Sequence, residues 1–311
     1  MQFTTTHPLI THPYHPDLVT GSGIASLARA AEQAGFGGYG FTDHPAPSQK
    51  WLSGGGHDAL DPFVALTWVA AATTTLRLIP NIVVLPYRNP FVVAKAGATL
   101  DLLSGGRFTL ATGAGYLRSE FGALGVDADE RNELFDEAID VLKAVWTGDE
   151  VFFEGKHFTA RGVTAHPLPV SDPHPPIWIG GNSGQARQRV AERGDGWCPF
   201  PASPIVAKTS RTVVLDGPEA LGKAIDDLHR RLDAAGRDPS TIDVSFSNNA
   251  GGSPWADDFA VGAHLEGLAQ LAALGVTWVQ VGMPGDSPAH VTETLERYGA
   301  EVIGPYRASQ G

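Results

Sequence analysis

Asp43-His44 has the makings of acid–base chemistry. An imidazole exchanges protons near neutral pH, and an adjacent carboxylate can raise its basicity or fix its tautomer. The same dipeptide also suits a helix cap or a turn. Gly180-Gly181-Asn182-Ser183 is a second candidate. Its glycines let backbone N–H groups approach an anion, a following helix N-terminus adds a favourable dipole, and Ser183 can donate a hydroxyl. An N-cap by Asn182 or Ser183 would use the same residues with or without a ligand. Gly113-Ala114-Gly115 is weaker, because Arg118 stands where a dinucleotide fingerprint has its third glycine. No P-loop sequence occurs. Among the 11 histidines, His7, His12 and His15 cluster, yet no set of histidines and carboxylates shows ligand spacing, so no metal is expected. A glycosidase carboxylate pair is also missing from the ends of the fourth and seventh predicted strands, which carry Ala114 and Tyr116, and Asn248 and Asn249.

These residues fall at the ends of apolar strands that alternate with helices. Gln2–Thr6 is a short β-prone run, and Ile24, Leu27, Ala28, Ala31 and Ala34 mark a helix that Gly35 ends. A strand at Tyr39–Thr42, a helix through Phe63–Thr75 and a continuous apolar strand at Leu78–Leu85 follow. A helix from Pro90 stops at Ser104-Gly105-Gly106, before a strand at Arg107–Thr112 and a helix with its apolar face at Leu134–Val145. The remaining strands are expected at Pro176–Ile179, Gly196–Pro199, Ile242–Ser247 and Val276–Val281. Their helices are expected at Gln185–Arg193, Leu221–Leu232, Val261–Leu274 and His290–Val302. Eight β-then-α units predict a parallel sheet covered by helices, and the length favours a (β/α)8 TIM barrel. Surplus chain falls in a loop at Thr11–Thr20 and in Gly148–Pro175, where Val151–Phe158 reads as a small hairpin. No composition break divides residues 1–311, so one barrel domain is expected.

The 22 basic and 34 acidic residues give a net charge of −12, which argues against nucleic acid and against docking on an anionic membrane. No apolar run has the length of a membrane span, and the N-terminus lacks the pattern of a secretory signal, so a cytoplasmic protein is expected. Cys198 is the single cysteine, which excludes an intramolecular disulfide. The second predicted helix is apolar nearly all round, from Val64 to Ala72, where a barrel helix should show one polar face. The third carries small residues suited to close packing. A homodimer through these two helices is expected.

The run Pro86-Tyr87-Arg88-Asn89-Pro90 resembles the luciferase-like flavin/deazaflavin oxidoreductases, as do Ala94-Lys95 and Thr99–Arg107. So do Gly113-Ala114-Gly115, Glu120-Phe121, Pro176–Gly181 and Gly194–Trp197. The resemblance spans nearly the whole chain and is strongest to the branch that uses coenzyme F420, a deazaflavin, with Asp43-His44 a main reason. It implies a barrel with the cofactor ring at the C-terminal mouth and the cofactor phosphate at Gly180, Gly181, Asn182 and Ser183. Gly113, Ala114, Gly115 and Asp43 would lie near the ring, and the family's non-proline cis peptide would fall at Asn81-Ile82. His44 would handle the proton that accompanies hydride transfer to or from a small organic substrate, oriented by Asp43, with His7 as runner-up. In the sugar-phosphate branch a Glu occupies the position of Tyr116, which here would offer a hydrogen bond instead, so sugar-phosphate oxidation is not expected. Two alternatives remain: a monooxygenase using reduced flavin mononucleotide supplied by a separate flavin reductase, and a non-catalytic cofactor-binding barrel.

Overall fold

The computed structural model describes residues 1–10 and 12–310. Thr11, the first residue of the loop expected after the first strand, and Gly311 lie outside the described residues. The chain opens with β1 (Gln2–Thr6) and α1 (Gly21–Gln33), whose apolar stripe of Ile24, Leu27, Ala28 and Ala31 is buried. The Thr20 hydroxyl caps α1 by accepting the Gly23 N–H. Burying a side chain such as Leu27 contributes about 1.5–3 kcal/mol. Next come β2 (Gly38–Gly40), the short α2 (Gln49–Ser53) and α3 (Pro62–Ala72), which Asp61 caps through the N–H groups of Phe63 and Val64.

The third barrel strand is not continuous, as the apolar run Leu78–Leu85 had suggested. It is divided into β3 (Arg77–Leu78) and β4 (Val83–Val84). The Asn81–Ile82 peptide between the halves is cis, at the expected bond. β3 pairs with β2, whereas β4 pairs with the strand that follows. α4 (Pro90–Ser104) ends in the left-handed Gly105, and β5 (Leu110–Gly113), the short α5 (Arg118–Ala123) and the long α6 (Arg131–Thr147) come after it.

The insertion is an antiparallel hairpin of β6 (Val151–Glu154) and β7 (Thr159–Val163). Its second arm lies beyond the expected stretch, because Gly155–Phe158 forms the turn, with the Gly155 N–H donating to the Phe158 carbonyl. Glu137 accepts the N–H groups of His157 and Phe158 and holds that turn on α6. The barrel resumes with β8 (Ile177–Gly180), α7 (Gly184–Arg193), β9 (Gly196–Cys198), the short α8 (Pro204–Thr209) and α9 (Gly217–Ala234). It finishes with β10 (Asp243–Ser247), α10 (Val261–Ala273), β11 (Trp278–Val281), α11 (Pro288–Tyr298) and α12 (Gly304–Gln310). A π-helical turn at Gly299–Ile303 joins α11 to α12, so the helix expected at His290–Val302 runs on past its expected end. Gly299 lies so close to the end of α1 that a Cβ there would stand 2.5 Å from the Ala34 carbonyl oxygen.

The sheet order is β3-β2-β1-β11-β10-β9-β8-β5-β4, with every pairing parallel. Because β3 and β4 are halves of one strand, and Leu78 bridges to Phe108, the ring closes as a (β/α)8 TIM barrel. All loops that follow the strands therefore open at one mouth. Three of them carry α2, α5 and α8, each of five or six residues and too short to show a helical period in sequence. No described helix is long and apolar enough to cross a membrane.

Candidate active site

Asp43 and His44 leave the end of β2 in different directions, as consecutive side chains in extended chain do. Asp43 does not orient His44, contrary to expectation. Its Oδ1 accepts an N–H from Arg88 at 2.7 Å and its Oδ2 accepts the Val84 N–H at 2.9 Å. Arg88 reaches with its other arm to Asp61 at 2.9 Å, so the two carboxylates tie β2, β4 and the start of α3 together. Burial pushes the Asp43 carboxyl above its ordinary value, against the pull of Arg88. Burial works against the Arg88 cation too, yet Asp43 and Asp61 hold it above its usual value. Asp43 is thus a buried brace, with each oxygen committed to one protein donor.

The carboxylate that meets His44 is Glu120, on α5. Its Oε2 lies 3.2 Å from His44 Nδ1 and accepts the Tyr87 hydroxyl at 3.0 Å, while Oε1 accepts the Ala46 N–H at 3.2 Å. The Glu120 side chain is 0% exposed and that of His44 12% exposed. The imidazole packs against Trp51 of α2 at 4.5 Å between ring centroids, with the edges of His57 and Tyr116 at 5.1 and 6.5 Å. Burial, reinforced by the Glu120 charge, raises both the Tyr87 and the Tyr116 phenol, so both stay protonated donors. His57 donates from Nδ1 to the Asp58 carbonyl at 3.0 Å, and burial lowers its pKa. In sequence Glu120 carries no signal of this role beyond the Glu120-Phe121 motif. Its 76-residue separation from His44 hid the pairing.

His7 is excluded as a proton carrier. Its Nε2 donates to the Leu18 carbonyl at 2.7 Å and its Nδ1 accepts the Tyr39 hydroxyl at 2.7 Å. Burial lowers its pKa to about 4. His12 pairs with Asp58 and His15 accepts the Asp17 N–H, so the three clustered histidines share no site. Among the described residues Glu130, Glu133 and His157 stand close enough for a metal, but Lys156 already pairs with both carboxylates.

The glycine-rich positions divide their work. A Cβ on Gly113 or Gly180 would stand 2.5 or 2.7 Å from Ile82 Cδ1, so both glycines make room for the side chain that follows the cis bond. Asn81 donates to the Thr6 hydroxyl at 3.0 Å. Gly115 has φ +76, and a Cβ there would stand 2.5 Å from Val84 Cγ1, while Ala114 packs on the core. Beyond β8, Gly181 has φ +110 and Ser183 caps α7 by accepting the Ala186 N–H. The Asn182 side chain is buried and fully engaged. It donates to the Phe200 and Val213 carbonyls and accepts the Phe200 N–H, clasping the loop that carries α8.

A pocket missed in the sequence lies between that loop and the one after β5. It is lined by Gly115, Tyr116, Phe121 and Ser210, and by Arg118, Arg131 and Arg211. Arg118 pairs with Asp129 and Arg131 donates to the Ala128 carbonyl. Three arginines thus gather at one pocket in a chain of net charge −12, one of them paired with a carboxylate. In sequence Arg118 is distinguished only by standing where a dinucleotide fingerprint has a glycine. A second cavity, inside the barrel, is lined by Thr6, Asn81, Trp178 and Cys198 among others, and burial pushes the Cys198 thiol up to about 12.

Residues 3–250 match the luciferase-like monooxygenase family. The chain belongs to that family. Over 296 residues it is 29% identical to an uncharacterized protein of Mycobacterium tuberculosis, covering 89% of this chain and 93% of the relative. It is 33% identical over 175 residues to an FMNH2-dependent dimethylsulfone monooxygenase of Pseudomonas putida, covering 55% of this chain and 46% of that one. An F420-dependent glucose-6-phosphate dehydrogenase of Beutenbergia cavernae is 36% identical over 173 residues, covering 54% and 49%. In fold, the chain superposes on a monooxygenase from Streptomyces bottropensis with a TM-score of 0.78 at 20% identity, covering 98% of this chain and 100% of the other. As a luciferase-like barrel with such homologues, the protein is an oxidoreductase that works with a flavin or deazaflavin.

Proposed function

We propose that this protein is an F420-dependent oxidoreductase exchanging a hydride with a small organic substrate, with His44 as its proton-handling residue. The observation that carries this reading is the pairing of His44 with the buried Glu120 carboxylate. Hydride transfer to or from carbon is matched by a proton at the neighbouring atom, and a held imidazole supplies or takes it. His44 Nε2 has no hydrogen-bond partner among the described residues.

The residues present fit such a cofactor. F420 and flavin mononucleotide share a flat tricyclic ring and a phosphate, and F420 adds carboxylates. Gly113 and Gly180, having no side chains, leave room for Ile82, which would form the floor on which a ring rests. In the sheet order the β8 loop lies between the loops that build the arginine pocket. Gly180, Gly181 and the Ser183 hydroxyl would hold a phosphate, and Arg118, Arg131 and Arg211 would neutralise the anionic end. When bound, the deazaflavin supplies the hydride acceptor or donor. Tyr116 would donate a hydrogen bond at the substrate, and Trp51 and His57 would exclude water beside His44. Tyr116 stands where the sugar-phosphate dehydrogenases carry an acid, so the substrate proposed is another organic molecule.

Titration of the purified protein with F420 and with flavin mononucleotide, oxidised and reduced, tests this reading. Tighter binding of F420 by at least about tenfold, or 1.4 kcal/mol, is expected. Preference for reduced flavin mononucleotide would instead make the protein the oxygenase half of a pair with a flavin reductase.

The working form proposed is a homodimer through α3 and α4. Val64 and Trp68 on α3 are 65% and 51% exposed, and Val92 on α4 is 66% exposed. Exposed apolar side chains on neighbouring helices favour association. Light scattering should report twice 32.8 kDa, and Trp68→Glu should return the protein to the single-chain mass.

A further inference from the structure

We infer that Glu120 is the positioning residue that holds His44 as its Nδ1–H tautomer, leaving Nε2 as the atom that exchanges the proton. The functional consequence rests on the proton role proposed for His44; the tautomer itself rests on geometry alone. Both oxygens of Glu120 already meet obligate or committed donors, the Ala46 N–H on Oε1 and the Tyr87 hydroxyl on Oε2. A carboxylate that receives donors on both oxygens is ionised and accepts only. His44 Nδ1, at 3.2 Å from Oε2, must therefore bring the hydrogen. A neutral imidazole carries one N–H, so Nε2 is left bare. When Nε2 takes up a proton, the cation so formed lies against a carboxylate removed from water, where attraction is strongest.

The other groups around the ring leave this assignment unchallenged. Asp43 is committed to Arg88 and Val84. His57 meets the ring by its edge while its own Nδ1 donates to Asp58. Tyr116 also meets the ring by its edge, and Trp51 packs on it. Tyr87 is turned to Glu120.

Glutamine at position 120 would preserve shape but offer one acceptor oxygen to three donors. If that oxygen takes the Ala46 N–H, the amide NH2 faces His44 and Tyr87, and Nδ1 must become the acceptor. Long-range proton–nitrogen spectra of the whole protein with ring-labelled histidine read the tautomer directly. The His44 signals are assigned by their loss in His44→Gln. The native protein should show Nδ1 protonated and Nε2 bare at neutral pH. Glu120→Gln should reverse or mix the two, and turnover should fall by roughly 10²–10⁴-fold, as when a catalytic imidazole is held in the wrong tautomer. Tyr87→Phe keeps the charge and should keep the native tautomer. A bare Nδ1 in the native protein overturns the inference, even if Glu120→Gln does not fold. So does an unchanged tautomer in a folded Glu120→Gln protein. A reversed tautomer with full turnover leaves the positioning intact and removes His44 from the proton chemistry.

Discussion

The ends of β1 and β2 lie side by side, the His7 N–H donating to the Gly40 carbonyl at 2.8 Å, and each end carries a histidine. The two environments are opposites. His7 is buried with both ring nitrogens engaged by uncharged partners, and burial holds it neutral. His44 has one nitrogen on a buried carboxylate and the other without a protein partner among the described residues. A histidine at a barrel mouth is therefore not defined by its place on a strand. What separates structure from chemistry is whether a nitrogen remains free and whether the form that gains a proton has an anion to rest against. The neighbouring acid teaches the same lesson. Asp43, adjacent in sequence, braces Arg88, while Glu120 comes from another loop to meet the ring.

The sharpest way to break this comparison is to exchange the fates of the two histidines. His44→Ala should slow turnover by roughly 10²–10⁴-fold while shifting cofactor affinity by no more than a few-fold. His7→Gln, corrected for folded fraction, should leave turnover within a few-fold of the native value. Steady-state rates with a working substrate, alongside cofactor titrations, distinguish the two. Equal losses in both variants would erase the distinction drawn between the strand ends.

A smaller effect is expected in stability against pH. The folded value of His7, about 4, lies below its ordinary 6.5. Between these values the unfolded chain binds the proton and the folded chain does not, so stability rises with pH across that window. The contribution is complete above about 6.5 and disappears as pH falls toward 4. From pH 7.5 to pH 5 His7 should account for about 2 kcal/mol of lost stability. Urea midpoints at the two pH values, for the native protein and His7→Gln, measure that share. A native protein no more acid-sensitive than the variant would mean that His7 is not held neutral.

Local pattern made most of the barrel legible. Apolar runs bounded by turn residues located seven of the eight strands, and the buried stripe of α1 followed the spacing of Ile24, Leu27, Ala28 and Ala31. Capping was legible as well: Asp61-Pro62 and Asn89-Pro90 open α3 and α4, and Gly105 closes α4. The break in the third strand falls at Pro80-Asn81, a strand breaker and a polar residue whose signal is masked by the apolar, buried Ile79, Val83 and Leu85 around them. The bond at Asn81-Ile82 was reached through resemblance to a family. For Asn182 and Ser183 the residue types allow a cap and a ligand group alike; the cap by Ser183 is present, and the clasp that Asn182 makes on the α8 loop is a long-range contact with no sequence signal.

By itself, then, the sequence determined which stretches form strands and helices, how many units the barrel has, and which family's motifs it carries. These follow from interactions between residues a few positions apart, where period and capping are written directly into residue order. Tertiary structure alone decided that Glu120 meets His44, that Asp43 turns to Arg88, and that Arg118, Arg131 and Arg211 gather at one pocket. Those pairings form across loops from different barrel strands; Glu120 and Arg118 ride on the six-residue α5, which leaves no period to read, and the others lie in loops or, for Arg131, at the first residue of α6. Which side chain faces which depends on the direction in which each loop leaves the rim. Only closure of the ring brings those directions together.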